Sequence, residues 1–431
     1  MKYIYALVFA FAMMCNSAVH ASTVVKLSDE AANAIDPTAP AEEESTPVFS
    51  YGLLMSGVMQ GHNAFFKHEG TRHALGNGAL SLTARPFAST VINVSPMWMY
   101  GGMTLNGFGM AGNSNALFSS SNITPFLGTA YIKQQITFDA SAGEEQANAI
   151  ITAGKILMPA VFEANSYASD PTQQFLNMSN LSFGAWETAQ ETRGTTYGAS
   201  VKFSKASWNL TIAGGLMPSS AGGLTFDTDV NHANSIVAQF CSNIHGTLRM
   251  RFLGFVNHAN QLNFKQATAL LESSSGTDEV DLEPARSYSV KYGFGIEAED
   301  KLGEDVGAFI RASWNDGASE SFTFTQINSS VGGGLDFSNS FFGTESSHGG
   351  VAFSYNMISS EQREYLAAGG SGFMLGYGSL NYSSEFVGEA YYRINVIEKV
   401  TMTFDYQFIG NAGYNKSQSL HFFTTRFTLS L

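Results

Sequence analysis

Val400-Thr401-Met402-Thr403-Phe404-Asp405-Tyr406-Gln407-Phe408 decides the fold class. Val400, Met402, Phe404, Tyr406 and Phe408 fall on one face at a period of two, and Thr401, Thr403, Asp405 and Gln407 on the other. That is a β-strand with one apolar and one polar side. The strand before it runs Gly388, Ala390, Tyr392, Ile394, Val396 against Glu389, Tyr391, Arg393, Asn395, and Ile397-Glu398-Lys399 predicts a tight hairpin between the two. The last residues continue the pattern: Phe423, Thr425, Phe427, Leu429 and Leu431 alternate with Phe422, Thr424, Arg426, Thr428 and Ser430.

The same alternation recurs upstream. Leu248, Met250, Phe252 and Val256 oppose Arg249, Arg251 and Phe255, and Tyr288, Val290, Tyr292, Phe294 and Ile296 oppose Ser289, Lys291 and Glu297. Ala308, Ile310, Ala312 and Trp314 oppose Phe309, Arg311 and Ser313, leading into the turn Asn315-Asp316-Gly317. A soluble sandwich would alternate too, but its outer faces would be rich in Lys and Glu. Here charged residues are only 13% of the chain, with 34 Phe, 17 Tyr and 43 Gly. The polar faces are mostly Thr, Ser, Asn and Gly, and aromatics recur near strand ends as they do at membrane interfaces.

The ends fit that reading. Lys2, the apolar run Ile4–Met14 and the small residues up to Ala21 predict a signal peptide over residues 1–21. Its apolar core is too short to span a bilayer, and no later segment is a continuous apolar helix-length run. Only helices and closed barrels can cross a membrane, because every backbone polar group must be paired internally. Residues 22–47, with Glu42-Glu43-Glu44 and few large apolar side chains, predict a flexible acidic periplasmic extension. Residues 48–431 predict an all-β, transmembrane antiparallel barrel of the outer membrane with about 16 strands, a size that leaves an aqueous lumen. A C-terminal strand ending at the apolar Leu431 suits barrel closure and puts Leu431 on the lipid side.

Other chemistry is not marked. There is no Gly-x-Ser-x-Gly elbow, no His-Glu-x-x-His pair and no paired-cysteine spacing, so no catalytic or metal residue and no cofactor is expected. His62, His68 and His73 are spaced by six and five, which fits no standard zinc pattern. Leu366-Ala367-Ala368-Gly369-Gly370-Ser371-Gly372 is expected as a loop, and Cys241 as a buried small residue. The net charge of −14 argues against nucleic acid. What remains is the inward set Arg249, Arg251, Lys291, Glu297, Arg311, Glu389, Tyr391, Arg393, Asp405 and Arg426. Opposed cations and carboxylates projecting into water would form a constriction; alternatively they pair across strands and stiffen the wall.

Several segments carry a resemblance. They are Gly154-Lys155; Asn165-x-Tyr167-Ala168-x-Asp170-Pro171 with Gln174-Phe175-Leu176-Asn177; Gly184-Ala185-Trp186; and Arg193-Gly194-x-Thr196-Tyr197-Gly198. Further on are Lys291-Tyr292-Gly293-Phe294-Gly295, Ser313-Trp314-Asn315-Asp316-Gly317, Tyr365-Leu366-Ala367-Ala368-Gly369-Gly370, Leu380-Asn381-Tyr382, Glu389-x-Tyr391-Tyr392, Asp405-Tyr406-Gln407 and Tyr414-Asn415. In order and spacing the chain resembles the carbohydrate-selective porin family (OprB-type), departing from its pattern at Thr172, Tyr377 and Lys416–Ser419. The resemblance implies passive passage of small sugars, where composition alone implied only a pore. Outer-membrane lipid, small sugars and the barrel-assembly machinery are the expected partners, with a homo-oligomer left open. An outer-membrane barrel enzyme and a closed structural or adhesive barrel are the alternatives.

Overall fold

The computed structural model describes residues 49–431 except 63–71, 102–108, 118–123, 139–145, 222–226, 275–279, 323, 345–346 and 377–379. The expected signal peptide and acidic extension, His68 and Tyr377 lie outside the described residues. Sixteen strands follow one another: β1 Phe49–His62, β2 Arg72–Phe87, β3 Thr90–Tyr100, β4 Thr124–Phe138, β5 Ala147–Ile156, β6 Thr196–Lys205, β7 Trp208–Leu216 and β8 Asn234–His245. The second half is β9 Leu248–Leu262, β10 Arg286–Lys301, β11 Val306–Asn315, β12 Ser329–Phe337, β13 Ser347–Met357, β14 Glu385–Ile397, β15 Val400–Gly410 and β16 Ser419–Ser430. Each pairs antiparallel with its sequence neighbours, and β1 pairs with β16 to close the barrel. Leu53 and Leu431 exchange both backbone hydrogen bonds across this seam, at 2.9 and 2.8 Å, so no edge is left open there.

The two ends differ. Links at one end are as short as residues 206–207, 246–247 and 398–399, whereas the other end carries residues 157–195, 263–285 and 358–384. Outer-membrane barrels keep short turns on the periplasmic side and long loops outside, which orients the chain. The hairpin after β14 is tighter than expected, since Ile397 still pairs with Val400 and only Glu398 and Lys399 form the turn. At the β11 exit Gly317 has φ +63° and donates its N–H to Asn315 Oδ1, the turn anticipated at that position.

Strand parity is as the alternation required. Phe252, Val256, Tyr292, Phe294, Ile310, Phe404 and Tyr406 are exposed on the outer face, where lipid rather than water meets them. Phe423 shares this face, and so by parity does Leu431. Among the described residues no helix is long and apolar enough to cross a membrane; the crossing is made by strands. Cys241 is buried on the inner face, as expected.

The inner face is where the fold departs from an empty cylinder. Residues 157–195, here called the inner loop, leave β5 and run down inside the barrel with two short helices, α1 Met158–Phe162 and α2 Met178–Leu181. Phe162, Phe183 and Trp186 of this loop pack on Val237, Leu253 and Phe255 of the wall. At the long-loop end α3 Phe264–Ser273 meets α4 Ser360–Ala367, with the Phe264 and Tyr365 rings stacked at 5.1 Å. The glycine-rich segment expected as a loop therefore begins as the last turn of α4 and ends it, Gly370 N–H bonding back to the Tyr365 carbonyl.

Candidate functional site: the lumen wall and its inner loop

A loop inside a barrel cannot pair its own carbonyls as a helix or strand does, yet at this depth each must find a donor. The wall supplies them. Arg251 Nη2 donates to the Ala164 carbonyl at 2.7 Å, and Arg311 donates to those of Ala168 and Asn180 at 2.7 and 3.0 Å. Arg426 reaches the carbonyls of Pro171 and Gln174, the first at 2.5 Å and the second at 2.9 Å. Gln239, Asn257 and Asn315 serve Phe162, Glu187 and Ala185 in the same way. A guanidinium suits the task because its five donors reach a carboxylate and a carbonyl at once.

The carboxylates answer the loop's donors. Glu389 accepts from the backbone N–H groups of Leu176 and Asn177 and from Asn180 Nδ2 at 2.9 Å. Lys291 Nζ bonds Glu187 of the loop at 3.0 Å, and Lys155 Nζ bonds Glu191 at the same distance. Glu297 is clamped between Arg251 and Arg311, its neighbours on β9 and β11. Glu299 takes Arg249 and Arg251, both at 3.1 Å, and also the Ser166 N–H of the loop. Tyr391 donates to Asp336 at 2.9 Å and meets the Phe175 ring edge-on at 5.0 Å. Gly350 makes room for that pair, since a Cβ there would sit 2.7 Å from Tyr391 and 2.9 Å from Phe175. Asp405 accepts from Gln407, which also bonds the Ser114 carbonyl.

The expectation that the inward charges face water is therefore corrected for most of them. Arg251, Lys291, Glu297, Arg311, Glu389, Tyr391, Asp405 and Arg426 do point inward, but each is at most 5% exposed. The inner loop covers them. Cross-strand pairs and bonds to the loop hold them there. Only Arg249, whose side chain is 39% exposed, and the half-buried Arg393 keep open surface. Arg393 holds Gln173 Oε1 at 2.8 Å on the loop's rim.

Within the loop, Glu163 accepts from the Phe183 N–H at 2.9 Å, and burial pushes its carboxyl up to about 7 against the opposing pull of Arg311. Among the described residues no cluster of His, Cys, Asp and Glu is arranged to hold a metal ion.

The family described as carbohydrate-selective porin, OprB family, matches residues 76–431. The chain belongs to that family. Its fold is like that of OprB from Pseudomonas putida at high pH, with 14% identity, a TM-score of 0.69, and 89% of this chain and 94% of that one covered. The outer membrane channel DcaP of Acinetobacter baumannii matches at 9% identity and TM-score 0.52, over 89% of this chain and 97% of its own. OmpT, an outer membrane protein of Vibrio cholerae, matches at 8% and 0.50, over 89% and 97%. No curated protein matches. This is an outer-membrane porin, built as a 16-stranded barrel for passive diffusion of small hydrophilic solutes.

In this porin the motif Asn165 to Asn177, quoted above only as a family mark, folds on its own Asn165 side chain and is gripped by the wall through Arg311, Arg426, Glu389 and Gln407. Sequence reasoning missed the roles of Gln173, Asn177, Asn180, Glu187 and Glu191. One signal was available: residues 157–195 interrupt the alternation for longer than a simple connection needs.

Proposed function

We propose that this porin passes small carbohydrates through the part of the lumen that the inner loop leaves uncovered. The loop narrows the lumen from the side on which β8 to β16 hold it. The observation that carries the reading is the anchoring of a whole loop inside the barrel by Arg251, Arg311, Arg426 and Glu389. A constriction held by so many charge-assisted bonds keeps a fixed shape, and a fixed shape is what lets a passive pore discriminate among solutes.

On this reading Arg249 and Arg393 are the members of the inward set that touch solute. Their guanidinium forks match vicinal hydroxyls. The remaining eight are positioning residues that act through the loop. The chain needs no catalytic step for this work. The seam strand β16 is the segment that the barrel-assembly machinery would read, since it closes the sheet.

The test is sugar block of ion current in planar bilayers. Replacing Arg249 and Arg393 together by Gln should keep the heat-modifiable folded form and weaken block by sugars severalfold. Undiminished block in that variant would remove both residues from the solute path.

A further inference from the structure

Two of the carboxyl groups beneath the inner loop lie against each other. Glu389 on β14 and Asp405 on β15 are each 4% exposed, and their side chains are hydrogen-bonded to one another. The Gln407 amide joins them, donating to Asp405 Oδ1 at 3.1 Å and reaching Glu389 Oε1 at 3.4 Å. Asp405 Oδ2 is buried and meets no donor among the described residues. Neither carboxyl is ion-paired among the described residues. A hydrogen bond between two carboxyl groups needs a proton on one of them, and two bare negative charges this close in a buried site repel strongly.

The cation beside the pair is Arg426 on β16, diagonal to Asp405 in the sheet and 0% exposed. Its Nη groups are taken by the loop carbonyls of Pro171 and Gln174, and its Nε is buried with no acceptor among the described residues. The other charged groups around the pair are engaged elsewhere. Arg393 of β14 holds Gln173, Asp336 of β12 takes Tyr391 of β14 and His348 of β13, and Asp170 of the loop accepts from Thr172. β1 and the segment around Ser114 bring neutral groups into the network, Gln60 and the Ser114 carbonyl. Glu389 in turn carries Leu176, Asn177 and Asn180 of the loop. Arg426 and the carboxyl pair therefore hold one stretch, Pro171 to Asn180, from its two ends.

We propose that Glu389 and Asp405 share one proton and act as a latch on the inner loop, closed while the proton is present and released when alkali removes it. The proton belongs to the pair rather than to either residue. With it, a single negative charge lies between the two side chains and faces the loop N–H groups. When the proton leaves to solvent base, the two carboxylates repel each other, and the second charge draws the Arg426 guanidinium off the carbonyls of Pro171 and Gln174. Both movements free the same stretch of loop. The strands keep their ladder, so the barrel stays closed while its constriction loosens. The latch concerns the loop and is independent of which solute passes.

Infrared difference spectra of the full-length porin, wild type minus Asp405→Asn, read the proton directly. At neutral pH the difference should contain the carbonyl stretch of a protonated carboxylic acid, which Asn lacks. Raising the pH from about 5 to about 10, a range that spans ordinary and buried carboxyl groups, should remove that band. Over the same interval open-channel noise in planar bilayers and protease cleavage between residues 171 and 180 should rise severalfold, with the β-sheet circular dichroism unchanged. Asp405→Asn, whose amide donates to Glu389 at every pH, should show neither rise. If that variant does not fold, the wild type decides alone: band and quiet current must vanish together and return together on reacidification. Absence of the band at neutral pH, with both groups charged and balanced by Arg426, overturns the latch. So does a band that persists to the top of the range, a band lost with no change in noise and cleavage, or an equal rise in Asp405→Asn.

Discussion

Glu297 holds two guanidinium groups at once and is 2% exposed, so its removal strands two buried cations on one wall. Breaking a buried pair on one side costs about 3–5 kcal/mol, while an exposed pair is worth under about 1 kcal/mol. Glu297→Gln should therefore lower by many degrees the temperature at which the folded band on gels converts to the unfolded one. Arg249→Gln, at the partly exposed member of the same network, should leave it nearly unchanged. Equal shifts for the two would contradict the distinction between anchoring and open residues. At this scale the sequence told the direction of each side chain but not its fate. Period two separates Arg311 from Ile310 and Asp405 from Phe404 with no further information. Whether water or a loop lies beyond the inward face depends on residues more than a hundred positions away, such as Ala168 facing Arg311.

At the scale of elements, the strands were legible because each carries its own pattern; the inner loop was not. Its conformation follows from no local period. It is imposed by partners on β5 and on β8 to β16, and its most identifiable motif reads in sequence as ordinary turn chemistry. Glu389 is the test of this element, since it accepts two backbone N–H groups and one amide from the segment Leu176 to Asn180. Glu389→Ala should leave the sheet closed and free that segment. The expected signs are a preserved β-sheet circular dichroism spectrum, faster proteolysis within the loop and a noisier single-channel current. Wild-type noise and protease resistance would show that the loop does not depend on this anchor.

For the whole molecule, the alternation and the low charge content specified a barrel, the length of residues 48–431 set it at about 16 strands, and the closed sheet has that number. The filling of the lumen was less legible, because inward faces of Thr, Ser, Asn and Gly look the same whether water or a loop lies beyond them. Those small residues make space for a loop, as Gly350 does for Phe175 and Tyr391. The central claim is that, with the loop in place, a passage for small sugars remains. Swelling of liposomes that contain the purified full-length protein, in isosmotic solutions of sugars of increasing size, tests it most directly. The account predicts rapid swelling in monosaccharides, slower swelling in disaccharides and little in larger oligosaccharides. Swelling no faster than that of protein-free liposomes, for every sugar and with the heat-modifiable barrel verified in the same preparation, would contradict it.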